Sequence, residues 1–144
     1  MNDKKEVFGA QLDVRLACLN LIAAHAKLID GGEASKTVPL YTDDCEVVVG
    51  PHTIKGIDAF RAAMTAREAN VERKTLHVWT NVHFGEVSED VVVASSVIQL
   101  YVLSPEPVAL APTSLLKCDD RFARGSDGQW RFARRVLLLI AGKG

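Results

Sequence analysis

The sequence predicts an α+β fold, a curved antiparallel sheet wrapped around a long N-terminal helix and further helices, with an internal pocket. Apolar residues recur at every third or fourth position between 10 and 30, and a second stretch of that period covers 57–70. From 74 onward the period changes to two, in long stretches separated by turn residues. Helices first and long strands afterwards belong to a layered α+β arrangement rather than a parallel α/β one. Strands this long must curl, and the hollow between the concave face and the first helix is where a small apolar ligand would fit.

Leu12, Leu16, Leu19, Ala23 and Ala26, joined by Ile22 and Ile29, give the first helix its apolar stripe. Residues 1–9 read as an N-terminal tail and 10–141 as a single domain. Gly31 and Gly32 can take the left-handed conformation that ends helices. A short helical turn follows at 33–41, with Pro39 making its end irregular. Val47, Val48 and Val49 predict a strand at 45–50, and Gly50-Pro51 turns it toward a second, short strand at 53–55. After Gly56, the spacing of Ile57, Phe60, Ala63, Met64 and Arg67, with Asp58 in the first turn, predicts the second helix.

At 74–86, Leu76, Val78, Thr80, Val82 and Phe84 alternate with Thr75, His77, Trp79, Asn81 and His83, so the second set shares one face. A further strand is expected at 91–103, and Pro105, Pro107 and Pro112 then impose a bend before another at 114–124. The turn Gly125-Ser126-Asp127-Gly128 leads into a last strand at 130–140, too apolar for a wet edge.

The 17 basic and 18 acidic residues nearly cancel to a net charge of -1, so no overall field attracts nucleic acid or acidic lipid. Cys18, Cys45 and Cys118 are an odd number, widely spaced and without a C-x-x-C, which fits a reducing, cytoplasmic compartment and neither a disulfide framework nor a zinc knuckle. The N-terminal stretch is interrupted by charges, unlike a signal peptide. The longest wholly apolar run, 136–141, is far short of the roughly 20 residues a membrane span requires.

Asp30 stands in the last turn of the first helix, where the macrodipole disfavours a carboxylate. Its loss is therefore expected to be neutral for stability, and its presence points either to a solvated helix end or to a partner across a pocket. His77 lies mid-strand beside Trp79 and Asn81, and an imidazole can serve as acid or base near neutral pH. His83 is roughly 20 Å along the same strand at strand rise, too far to share a metal with it, so no metal is expected. His25 and His52 read locally as buried or surface histidines. Alternation sends Arg134 and Arg135 to opposite faces, so one of them points inward, with Asp119 and Asp120 roughly opposite across a hairpin as salt-bridge partners. No G-x-S-x-G, G-x-x-x-x-G-K-[ST] or G-x-G-x-x-G occurs, and no cofactor is expected.

The order and spacing of A-K-L-I-D-G-G, Y-T-D-D-C-E-V, I-K-G-I-D-A-F, L-H-V-W-T-N-V and D-R-F-A-R-x-x-D-G-Q-W-R-F-A-R-R resemble the SnoaL-like branch of the nuclear transport factor 2-like superfamily. That branch includes scytalone dehydratase, bile acid 7α-dehydratases and hexachlorocyclohexane dehydrochlorinase. The resemblance implies a cone-shaped, cystatin-like sheet and a catalytic dyad at Asp30 and His77. It places Arg135 as a fixed cation and His25 where dehydrochlorinase-like members carry a lysine; Tyr41 and Tyr101 are the available tyrosines. The residues expected to contact substrate are thus Arg135, Trp79, Asn81, His25 and Tyr41.

These readings imply a cofactor-independent lyase, such as a dehydratase, or an isomerase, in which His77 takes a proton from a small, largely apolar, cyclic substrate while Asp30 orients the ring. The resemblance also implies a homodimer or homotrimer. Two other readings stand beside it. One is a non-catalytic small-molecule carrier. The other is a small structural subunit of a ring-hydroxylating dioxygenase; those subunits are similar but usually longer, and an end at Gly144 favours a stand-alone protein.

Overall fold

The computed structural model describes residues 2–106 and 109–143, with side chains from Gln11 onward; Pro107, one of the three prolines expected to bend the chain, lies outside them. The elements run α1 (Asn2–Asp30), a 3-10 helix (Ala34–Leu40), β1 (Tyr41–Val49), β2 (His52–Lys55), α2 (Ile57–Ala69), β3 (Thr75–Val87), β4 (Val91–Val102), β5 (Ser114–Arg124) and β6 (Trp130–Gly142). The helix α1 begins inside the stretch read as a tail. It ends in a Schellman motif, in which Glu33 N–H donates to the Leu28 carbonyl at 2.8 Å, Gly32 N–H to Ile29 at 3.2 Å, and Gly32 takes a φ of 76°. None of the described helices is long and apolar enough to cross a membrane.

All six strands form one sheet in the order β2-β1-β6-β5-β4-β3. The sheet departs from the all-antiparallel expectation at one seam, where β1 runs parallel to β6. Parallel neighbours need a long crossover, and everything from β2 to β5 supplies it. β6 therefore lies inside the sheet, in keeping with its apolar sequence.

The core joins Cys18 and Ile22 of α1 to Tyr41, Cys45, Phe60, Val92, Phe122 and Phe132. This corrects the face assigned to α1. The buried row is Cys18, Ile22 and Ile29, with Val14 packed against it, whereas Leu12, Leu16 and Leu19 are exposed. Both rows have helical spacing, but a cysteine and His25 in the inner row made it look the more polar.

Bulges curl the sheet and reset which residues face inward. On β3 the register shifts between Thr80 and His83, and Asn81 adopts a φ of 53°. Thr75, His77 and Trp79 face the helix before the bulge, and Val82 and Phe84 face it afterwards. Asn81 and His83 are turned out and exposed, so the shared face expected of His77, Trp79, Asn81 and His83 ends at Trp79. A second bulge, between Arg121 and Phe122 against β6, lets Phe132 and Arg135 both point inward despite their odd spacing.

The left-handed backbone at Asn81 sets a test. Asn81→Gly should leave stability within a few tenths of a kcal/mol, while Asn81→Val, whose branched Cβ opposes that conformation, should cost about 1–2 kcal/mol. Urea unfolding of both variants measures this, and an unaffected Val variant would show that the bulge does not need a residue of positive φ.

Candidate active site

Thr75 and His77, on the inward face of edge strand β3, lie against the end of α1. The backbone N–H of His77 donates to Asp30 Oδ2 at 2.8 Å, and Thr75 Oγ1 donates to Asp30 Oδ1 at 3.0 Å. The imidazole Nδ1 of His77 is 2.6 Å from the same Oδ1. One carboxylate thus accepts three hydrogen bonds from β3, and Arg67 of α2 backs the group by donating to Thr75 Oγ1 at 3.2 Å. Asp30 is therefore a clasp between helix and sheet, and these three bonds, which the dipole argument leaves out, weigh against a neutral effect of its removal. Both side chains are largely enclosed, His77 at 20% exposure and Asp30 at 14%.

A carboxylate facing Nδ1 requires the proton on that nitrogen, which in the neutral ring leaves the lone pair on Nε2. Nε2 has no hydrogen-bond partner among the described residues. Trp79 stacks on the imidazole with centroids 5.8 Å apart and an interplanar angle of 27°. On the far side of Asp30 a cleft of about 360 Å³ is lined by Ile29, Arg67, Arg73, Lys74 and Thr75.

Arg135 is the inward member of the arginine pair, but it does not offer substrate a free cation. It is 1% exposed, and Asp120, at the paired position on β5, accepts from its Nε at 2.6 Å and its Nη2 at 3.1 Å. The guanidinium lies over Phe132 at 4.1 Å and near Trp79 at 4.9 Å. Burial works to lower its pKa, and the Asp120 carboxylate outweighs that and raises it, so the guanidinium stays charged.

Tyr41 is likewise buried at 3% exposure, with its hydroxyl 3.2 Å from Nδ1 of His25 and 3.5 Å from Nη1 of Arg135. Burial, opposed by Arg135, pushes its phenol up to about 12. His25 is half-buried and ringed by Tyr41, Trp79 and Phe132, each edge-on to it. Its pKa falls well below 6.5, first through burial and then through Arg135 and His77.

Of the residues expected to contact substrate, the structure brings His25 and Trp79 beside the Asp30–His77 pair, places Arg135 and Tyr41 one step behind His25, and turns Asn81 outward. Tyr101 is bonded to Gln99 instead. Thr75 and Arg67 were not singled out, although Thr75 lies two residues before His77 and so on its face. The three thiols are buried, with Cys18 raised to about 12 and Cys118 to about 11, chiefly by desolvation, and are inert as nucleophiles. Among the described residues no three His, Cys, Asp or Glu side chains are gathered to hold a metal ion.

The fold is shared with a class of solved structures. An NTF2-like protein with a cystatin-like fold from Novosphingobium aromaticivorans superposes with a TM-score of 0.77 at 24% identity, covering 95% of this chain and 90% of that one. A candidate scytalone dehydratase from the same species gives 0.74 at 24% identity, with 98% and 89% covered. LinA gives 0.71 at 20% identity, with 90% and 88% covered. Curated proteins give no match. The sequence model of the SnoaL-like domain matches residues 10–136, and the chain belongs to that family.

The depressed pKa of His25 has a measurable consequence for stability. In the unfolded chain the ring takes up a proton near 6.5, whereas in the folded chain it does so only well below. The stability this contributes is complete above the unfolded value and is lost as pH falls beneath it, by about 1.4 kcal/mol per pH unit for one proton. Urea melts on the acid side of neutrality should therefore show a shallower decline for His25→Gln than for the unaltered chain. Equal slopes would mean that His25 titrates in the folded protein.

Proposed function

We propose that the chain is a cofactor-independent acid/base enzyme, a lyase such as a dehydratase or an isomerase, acting on a small and largely apolar, cyclic substrate. The observation that carries the reading is the 2.6 Å contact of His77 Nδ1 with Asp30, which leaves Nε2 as an unpartnered base beside Trp79. Nε2 removes a proton from a carbon next to an activating group; Asp30 keeps the tautomer and stabilises the imidazolium that forms. Trp79 supplies an apolar wall against which a ring can lie. Membership of the SnoaL-like family supports this reading, as does the likeness in fold to a candidate scytalone dehydratase and to LinA.

Proton abstraction can be tested before the substrate is known. In heavy water, small cyclic ketones and hydroxyketones that bind the protein should exchange carbon-bound hydrogen for deuterium, followed by mass spectrometry. Replacing His77 by Gln should cut that exchange by about 10²–10⁴ while binding persists. Ligands that bind without exchange, in either protein, would favour the carrier.

The working unit in this reading is a symmetric homodimer or homotrimer, supported by the exposed Leu12, Leu16 and Leu19 row and by exposed Leu138, Leu139 and Ile140. Light scattering should report a small oligomer. A monomer throughout the micromolar range would remove the self-association, and stable co-purification with a large iron–sulfur oxygenase chain would indicate the structural-subunit role.

A further inference from the structure

Two imidazoles flank Trp79, His77 stacked on the indole and His25 edge-on to it with centroids 6.1 Å apart. Their surroundings give them opposite hydrogen-bonding characters. Nδ1 of His77 faces a carboxylate, which can only accept, so that nitrogen is the donor. Nδ1 of His25 faces the Tyr41 hydroxyl at 3.2 Å.

That hydroxyl has one other partner among the described residues, Nη1 of Arg135 at 3.5 Å. A guanidinium has no lone pair to offer, so among the described residues the acceptor within reach of the tyrosine proton is Nδ1 of His25. The opposite tautomer would leave a buried O–H without an acceptor. Asp120 sets this arrangement by taking Nε and Nη2 of Arg135, which turns the remaining Nη1 toward Tyr41. The groups around His25 are thus Tyr41 from β1, His77 from β3, Arg135 from β6 and, behind Arg135, Asp120 and Cys118 from β5.

We propose that the chain of contacts Asp120–Arg135–Tyr41 holds His25 as a neutral imidazole with its proton on Nε2, so that the ligand space meets one imidazole of each polarity. His77 presents a lone pair; His25 presents an N–H. Nε2 of His25 has no hydrogen-bond partner among the described residues. A ligand that loses a proton to His77 and reaches past Trp79 to His25 would meet there a donor suited to an oxygen or other acceptor atom on which negative charge collects. Tyr41, Arg135 and Asp120 are positioning residues, because they act through His25. The inference deepens the acid/base reading and rests on it for the role of His77.

The experiment is long-range proton–nitrogen NMR of the full chain labelled with isotopic nitrogen in histidine, with His25→Gln assigning the His25 signals by their loss. The result expected is a His25 ring with its proton on Nε2 and a lone pair on Nδ1, retained at least about one pH unit below the ordinary imidazole value. Tyr41→Phe should average the His25 tautomers while leaving the Nδ1–H pattern of His77 in place. A His25 proton on Nδ1, or a doubly protonated His25 at neutral pH, overturns the proposal. The unaltered chain decides this alone, so an unfolded Tyr41→Phe does not remove the test. No substrate is involved, so a failure of the tautomer assignment is distinguishable from a failure of the hydrogen-exchange assay.

Discussion

A guanidinium with 1% exposure is the constraint around which the interior is arranged. A charge taken out of water needs an opposite charge and occupied donors, and losing one partner of such a pair costs about 3–5 kcal/mol. Asp120 meets the demand from the neighbouring strand at paired register, with two hydrogen bonds. Phe132 and Trp79 cover the cation, Cys118 takes a weak contact from Nη2, and Tyr41 takes Nη1. Four strands, β1, β3, β5 and β6, therefore converge on one side chain. The same pair governs its polar neighbours, since Arg135 both lowers the basicity of His25 and opposes the effect of burial on Tyr41.

Asp30 shows a second economy. As the outermost strand, β3 pairs only with β4 and leaves backbone donors on its other side. The carboxylate at the end of α1 closes one of them, His77 N–H, and binds the imidazole with its other oxygen. Helix docking, edge protection and tautomer selection share one side chain. A substitution there disturbs packing and chemistry together, so His77 is the better residue at which to separate them.

Element positions were legible in the sequence because turn residues and period changes coincide with element ends, as at Gly31-Gly32, Gly56 and Gly125 to Gly128. The meeting of Asp30 with His77 followed from the family resemblance rather than from spacing, since 47 positions separate them. What stayed illegible depended on local breaks in periodicity. Strict alternation puts Asn81 beside Trp79 and makes Arg134 the companion of Phe132; single-residue bulges reverse both. The apolar stripe read for α1 held Ile22 and Ile29 of the buried row but also the exposed Leu12, Leu16 and Leu19, and it left out Cys18, because two rows of helical spacing compete and the inner one contains the site histidine. The burial of Arg135 and the occupied hydroxyl of Tyr41 depend on four strands at once, which no linear pattern displays.

The parallel seam between β1 and β6 also constrains how the protein can come into being. Tyr41 lies opposite Phe132, and Val49 opposite Leu137, so a seam inside the sheet joins strands that are far apart in the sequence. Hairpin β5–β6 and its neighbours β4 and β3 can zip together locally, but β1 has no lengthwise partner beyond the short β2 until β6 has emerged. Closing so large a loop carries its entropy before any contact rewards it. α1 can dock early, against the 3-10 helix and β3, but during synthesis β1 must wait for its parallel partner until β6 has been made, which makes this seam a late step and one exposed to misassembly.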